Sequence, residues 1–318
     1  MIVRAATAFA PATIGNVGPG FDVLGLAVAG PGDRVTATLA DHGDVRITSI
    51  SGDGGALPTD AARNTAGVAA TFTRRLAGRE DIGIDLAIEK GIPLESGLGS
   101  SAASAAAAAH AVNQLLGAPL RKDDLLGPCV EAEAVVAGRH ADNIAPALLG
   151  GLTLVCQMTP RVRIQRLPVP SDLHVVVVTP KARVATTNAR AVLPENIPLS
   201  ARTRNSANIA MLVSACYSGD LGLLAMCIAD DVVTTARLPL ITGAAAAIDA
   251  GRDAGALGAT ISGAGPSLFA FCHSPVVAAA TRDAMIDAFK AAGIDASGFV
   301  SPAEAPGSRT VQPAETKP

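Results

Sequence analysis

The stretch Gly91-Ile-Pro-Leu-Glu-Ser-Gly-Leu-Gly-Ser-Ser-Ala-Ala-Ser-Ala-Ala-Ala-Ala-Ala-His110 decides how the rest of the chain is read. Just upstream, Ile82-Gly-Ile-Asp-Leu-Ala-Ile-Glu89 alternates apolar and polar residues with period two, the pattern of a strand. Pro93 stops that strand, and Gly97 and Gly99 supply a turn free of side chains. Ser100 and Ser101 follow as helix-capping candidates in front of an alanine-rich helix. A glycine turn opening on a helix gathers backbone N–H groups and the positive end of the helix dipole into one space, which suits a phosphate. It equally suits a capped core helix whose small residues merely allow close packing. The turn alone leaves both readings open.

A P-loop is excluded, because that motif is G-x-x-x-x-G-K-[ST] and no lysine follows Gly97 or Gly99. No G-x-G-x-x-G stands here to suggest a dinucleotide. Any phosphate must therefore be held mostly by backbone amides and hydroxyls.

Composition narrows the classes further. The 318 residues suffice for one large domain or two ordinary ones. A net charge of −3, no Trp and a single Tyr argue against nucleic acid and against an anionic membrane surface. Mean hydropathy is positive, but alanine supplies most of it, and no run of about 18 strongly apolar residues marks a membrane span. The N-terminus lacks the charged start and apolar middle of a signal peptide, so a cytoplasmic protein is expected. Cys129, Cys156, Cys216, Cys227 and Cys272 are scattered and form no C-x-x-C, which fits reduced thiols.

In chain order, a first strand to Ala10 leads into Ala10-Pro-Ala-Thr-Ile-Gly-Asn-Val-Gly-Pro-Gly-Phe-Asp22, read as a loop that either connects a hairpin or binds a ligand. Strands follow over 34–39 and 45–50, then a helix over 64–76. Residues 119–137 read as one or two helices containing Glu131 and Glu133. In Gly138-Arg-His-Ala-Asp-Asn143, His140 alone is more often structural than catalytic; Asp142 and Asn143 sit where a loop meets a buried segment. A domain boundary is placed near 160–171, ahead of His174-Val-Val-Val-Val-Thr179, whose continuous apolar run marks a central strand. Helices at 201–218, 221–231 and 244–254, a glycine-rich turn between two strands within 258–271, and a closing helix at 281–293 suggest a split βαβ, ferredoxin-like second domain. Residues 301–318 read as a disordered tail.

Three separated motifs now stand together: Pro93-x3-Gly-Leu-Gly-Ser-Ser-Ala-Ala-Ser104, the loop ending Gly-Pro-Gly-Phe-Asp22, and Gly258-Ala-x-x-Ser-Gly-x-Gly-Pro-Ser267. In order and spacing, over nearly the whole chain to about residue 300, they resemble the GHMP kinases, small-molecule kinases named for galactose, homoserine, mevalonate and phosphomevalonate. The first loop and His140-Ala-Asp-Asn143-x-Ala-Pro look like the homoserine kinase branch. The resemblance implies an α+β, two-domain GHMP kinase fold. Its ribosomal-protein-like N-terminal α/β domain would take residues 1–165, its ferredoxin-like C-terminal domain 166–300, and the active site would lie between them.

The resemblance also implies ATP and Mg²⁺ as cofactors. Pro93, Gly97, Leu98, Gly99, Ser100, Ser101, Ala102 and Ser104 would bind ATP, with Ser100 and Glu133 on the metal and Glu131 as the rival glutamate. L-Homoserine, the implied small-molecule partner, would meet Asn16, Asp22, His140, Asp142, Asn143, Thr186, Arg190, Arg237 and Gly263. Its carboxylate matches two arginines and its ammonium an aspartate. Catalysis is assigned to Asn143, Asp142 and Ser100, with no strong general base, because an asparagine stands where other members place a candidate aspartate. Nucleic acid and membrane are not expected as partners, and the assembly stays open between monomer and homodimer. A kinase for another small alcohol and a non-catalytic sensor on the same fold are the other readings of these residues.

Overall fold

The computed structural model describes residues 2–158 and 161–312. In the N-terminal half, β1 (Ala5–Gly15), β2 (Leu24–Ala40), β3 (Val45–Ser51), α1 (Thr65–Leu76), β4 (Gly83–Glu89), α2 (Ser100–Leu115), α3 (Leu126–Glu133), α4 (Ile144–Leu149), β5 (Leu152–Met158) and β6 (Arg161–Leu167) follow one another. Their strands form one sheet in which β2 pairs with β1, β4 and β5, and among the described residues only β3 and β4 run parallel. The alanine-rich α2 is buried along its length, with Ala102, Ala103 and Ala105 to Ala109 all at 0 % exposure. Side chains that small let its backbone approach α1, β1, β2 and α4 together.

The second half runs β7 (His174–Pro180), α5 (Thr186–Ala191), α6 (Leu199–Ser218), α7 (Leu221–Cys227), α8 (Val233–Arg237), α9 (Ala244–Asp253), β8 (Gly258–Ile261), β9 (Leu268–Cys272), α10 (Pro275–Ala291) and β10 (Ala296–Pro302). The antiparallel strand order β10-β7-β9-β8 is the split βαβ arrangement that the run of elements suggested. β7 is central, as its valines required, and its alternation serves two cores. Val176 and Val178 pack with α9 and α10 residues such as Ile248 and Phe289, whereas Val175 and Val177 join the apolar cluster of the N-terminal half.

Several expectations change. The loop expected from Ala10 is strand as far as Gly15, with Pro11 tolerated because the β1–β2 register shifts between Pro11 and Thr13. β6 extends to Leu167, so the change of sheet falls in 168–173, past the expected 165/166 division. The helix expected to close the fold starts at Pro275, where Ser274 caps it, and β10 follows it. The tail is a correction too: residues 303–312 return to the N-terminal sheet, where β11 (Arg309–Val311) pairs antiparallel with β1. Compositional bias hid a segment that is ordered by what it docks on. The rest of the expected tail, 313–318, lies outside the described residues. No helix among the described residues is long and apolar enough to cross a membrane.

Candidate active site

The Gly97–Ser101 turn is built by close approach between the two halves. Gly97 adopts φ +77°, and a Cβ there would stand 2.5 Å from the Ser262 carbonyl oxygen and 2.7 Å from that of Gly265. That space belongs to the second glycine-rich turn, which grips the first: Ser262 Oγ donates to Gly97 O at 2.7 Å and Ser267 N to Ser96 O at 3.1 Å. The residue capping α2 is Gly99, left-handed at φ 64°, rather than either serine. A Cβ at Gly99 would meet Thr13 Oγ1 at 2.0 Å, so no larger residue fits. The serine hydroxyls turn elsewhere, Ser100 Oγ to Ile92 O at 3.3 Å and Ser101 Oγ to Glu133 Oε1 at 3.1 Å. The first N–H groups of α2 keep no intrahelical partners, and Ser100 and Ser101, which carry two of them, line the cleft.

Glu133 is 6 % exposed, and its Oε2 is buried with no hydrogen-bond partner. Burial pushes its carboxyl up to about 7, against the pull of the Ser101 hydroxyl and with a further push from Asp142. A buried acid with one oxygen orphaned fits a cation that is not part of the protein. Glu131, the rival, lies outside the cleft, paired with Arg139.

At the other end, the loop from Asn16 to Asp22 is locked by its own polar groups. Both residues adopt φ +56°, and Asp22 N donates to Asn16 Oδ1 at 2.8 Å. The Asp22 carboxylate accepts from Arg190 Nη2 at 3.0 Å and stands 3.4 Å from His140 Nδ1. Burial lowers the pKa of His140, against the pull of the Asp22 carboxylate. Asp142 and Asn143 lead into α4. Asn143 Oδ1 accepts from Thr13 Oγ1 at 2.8 Å, beside the Gly99 turn. Asp142 is buried, its carboxyl pushed up to about 6 by desolvation and by the charge of Asp22. Arg237 is 2 % exposed, with Nε donating to Ala189 O at 3.0 Å and Nη1 to Gly263 O at 2.8 Å.

These parts line one cleft of ≈ 490 Å³, within the size range of small-molecule sites. Of the residues expected in the site, Asn16, Asp22, Gly97, Gly99, Ser100, Ser101, Ser104, Glu133, His140, Asp142, Asn143, Thr186, Arg190, Arg237 and Gly263 line it. Pro93, Leu98 and Ala102 do not: Leu98 and Ala102 are core residues, and Pro93 accepts the Ser96 hydroxyl at its carbonyl.

Two features had no reading in the sequence. Ala56, Leu57, Pro58, Asn64, Ile88 and Leu94 also line the cleft. Lys90, itself among the residues lining the cleft, pairs with Asp33, both side chains being nearly fully buried. Lys90 Nζ also donates to Ser104 Oγ at 2.7 Å and to Ser100 O at 3.0 Å, while Asp33 Oδ1 accepts from Gly91 N and Ile92 N. The strand register brings them together: Arg34 of β2 opposes Glu89 of β4, so the neighbours Asp33 and Lys90 fall side by side.

Two family models match the chain, GHMP kinases N terminal domain over residues 64–151 and GHMP kinases C terminal over 212–291. A homoserine kinase of Xanthomonas campestris pv. campestris is 43 % identical, the match covering 96 % of this chain and 94 % of that protein. One of Chlorobaculum tepidum is 42 % identical over 97 % and 99 %. The crystal structure of homoserine kinase from Cytophaga hutchinsonii superposes with a TM-score of 0.94 at 41 % identity, covering 98 % of each chain. With that similarity running through both halves and the cleft between them, the chain belongs to the GHMP kinases, ATP-dependent kinases of small molecules, and within them to the homoserine kinases.

Proposed function

We propose that the protein transfers the γ-phosphoryl group of ATP to the hydroxyl of L-homoserine, a step toward threonine. The observation that carries this reading is one cleft whose lining joins three chemistries. Arg190, Arg237, Asp22 and Asp142 share it with the Gly97–Ser101 turn and with the apolar side chains of Leu57, Pro58, Ile88 and Leu94. A carboxylate meets the arginines, an ammonium the aspartates, and a purine the apolar side chains. The ATP phosphates lie on the Gly97–Ser101 turn. Glu133 and Ser101, with Ser100 on the same helix end, would hold Mg²⁺. Bound there, the ion supplies neutralisation of phosphate charge.

The hydroxyl oxygen forms a bond to the γ-phosphorus as the bond from phosphorus to the β-bridging oxygen breaks, leaving ADP and O-phospho-L-homoserine and releasing the hydroxyl proton. The side-chain amide of Asn143 is no base, and its carbonyl is already engaged by Thr13. The rate therefore comes from alignment and from preorganised donors rather than from proton abstraction. A reaction fed by ATP and an amino-acid precursor belongs in the cytoplasm.

The test is an ATP-dependent phosphorylation assay across L-homoserine, mevalonate, shikimate and galactose. Turnover of homoserine above the others is expected, and turnover of another alcohol in its place would overturn the substrate assignment. Arg190→Ala should raise KM for homoserine about tenfold to a hundredfold, the worth of one charged hydrogen bond, and spare KM for ATP.

A further inference from the structure

We infer that Phe21 is a positioning residue for the substrate carboxylate, its ring serving as the shared partner that holds the guanidiniums of Arg190 and Arg237 together in the cleft. The inference rests on the proposed homoserine reaction and adds a residue that touches neither charge of the substrate. The Cζ atoms of Arg190 and Arg237 lie 5.3 Å and 5.2 Å from the centroid of this one ring. An aromatic ring attracts a guanidinium through its quadrupole, most strongly where water is excluded. Two like charges gathered in a cleft repel, and the charge of Arg190 is one of the causes that depress the pKa of Arg237, after burial.

The two arginines differ in how firmly they are held. Arg237 is tied to two backbone carbonyls. Arg190 has Asp22 as its ion-pair partner, and its Nε is buried without a hydrogen bond. Without the ring, Arg190 is free to turn wholly toward Asp22 and away from Arg237. The backbone that carries the ring is well fixed. Its loop is held by the bond from Asp22 N to Asn16 Oδ1 and by Asn205 Nδ2, which donates to Pro19 O at 3.1 Å. A carboxylate entering the cleft thus finds two cations at a set separation, and affinity gained by such preorganisation belongs to KM rather than to the chemical step.

Phe21→Leu, which keeps an apolar side chain and removes the π face, should raise KM for homoserine about tenfold, the worth of two cation–π contacts at the partly exposed end of their range. The kcat, KM for ATP and melting temperature should hold, and Phe21→Tyr and Phe21→Trp should behave as the parent protein. In a double-mutant cycle, Phe21→Leu with Arg190→Ala should lose much less than the product of the separate losses, because both changes remove one arrangement. An unchanged KM for homoserine in Phe21→Leu would overturn the inference. So would fully multiplicative losses, equal damage in Phe21→Tyr, or a joint fall in ATP binding and melting temperature, which is what a merely structural ring would give. If the parent protein leaves homoserine unphosphorylated, the functional reading fails first and takes this inference with it. Homoserine turnover with an indifferent Phe21 overturns this inference alone.

Discussion

At the scale of single residues, Glu133 carries the sharpest consequence. Its Oε2 has no partner, yet it is buried beside an α2 hydroxyl at the mouth of the phosphate turn. Such a group destabilises the empty fold and is relieved by a cation. Glu133→Gln should therefore abolish the rise in melting temperature that Mg²⁺ gives the parent protein. It should also lower kcat on the order of 10²–10³-fold, the scale of removing one preorganised electrostatic contact. Thermal melts with and without Mg²⁺ check the first claim, and an equal Mg²⁺ response in both proteins would remove Glu133 from the metal site. The sequence could not choose between Glu131 and Glu133 by type. Two positions apart on a helix, side chains point to nearly opposite sides, so only packing tells which one faces α2.

At the scale of elements, the Lys90–Asp33 pair fastens the end of β4 to the first turn of α2. Asp33 holds the amides of Gly91 and Ile92, and Lys90 holds the carbonyl of Ser100. Lys90→Met leaves a buried carboxylate unpaired and should cost about 3–5 kcal/mol in chemical denaturation. Adding Asp33→Asn should recover part of that loss, and the single variant should bind ATP more weakly because its turn is no longer anchored.

A second fastening joins α2 to the returning C-terminal segment, where His110 Nδ1 lies 2.9 Å from Ser308 Oγ and Nε2 3.3 Å from Thr310 Oγ1. Burial, helped by the charge of Lys122, lowers the pKa of His110 to about 4. Above pH 6.5 the ring is neutral in both folded and unfolded chains. Between 6.5 and about 4 the unfolded chain takes up a proton that the folded chain refuses, so stability falls as pH falls through that window. Urea midpoints should show this slope in the parent protein and a shallower one in His110→Gln. The elements legible from sequence were those with local causes, namely the period-two strands, the glycine turns and the alanine helix. What stayed hidden was made by distant partners. The strand β11 exists because β1 offers an edge, and Ala56, Leu57 and Pro58 become cleft residues only because the fold brings them to the same opening as Ile88 of β4 and the Gly97–Ser101 turn.

At the scale of the whole molecule, the two-domain reading is right about the sheets and incomplete about cohesion. A single apolar cluster takes Leu24, Leu86 and Leu152 from the N-terminal half together with Val175, Val177, Leu212, Phe269 and Phe271 from the second. The chain then crosses back. Ala303 N donates to Leu173 O, Gly151 N to Ala305 O, and Ser308 N to Ala147 O, so residues 303–311 tie β7, the start of β5 and α4 into one body. That tie bears on the cleft, because α4 begins directly after Asp142 and Asn143. Halves that share a core cannot melt separately, since unfolding either one strips apolar surface from the other. Calorimetry should therefore show one cooperative transition for the full chain, shifted as a whole by ATP. Ending the chain after Pro302 should lower that transition and depress kcat, with β1 left unpaired at its edge and α4 released at its C-terminal end. Two resolved transitions in the full chain, or a shortened chain as stable and active as the parent, would show that the cleft is held by its own loops and owes nothing to the returning strand.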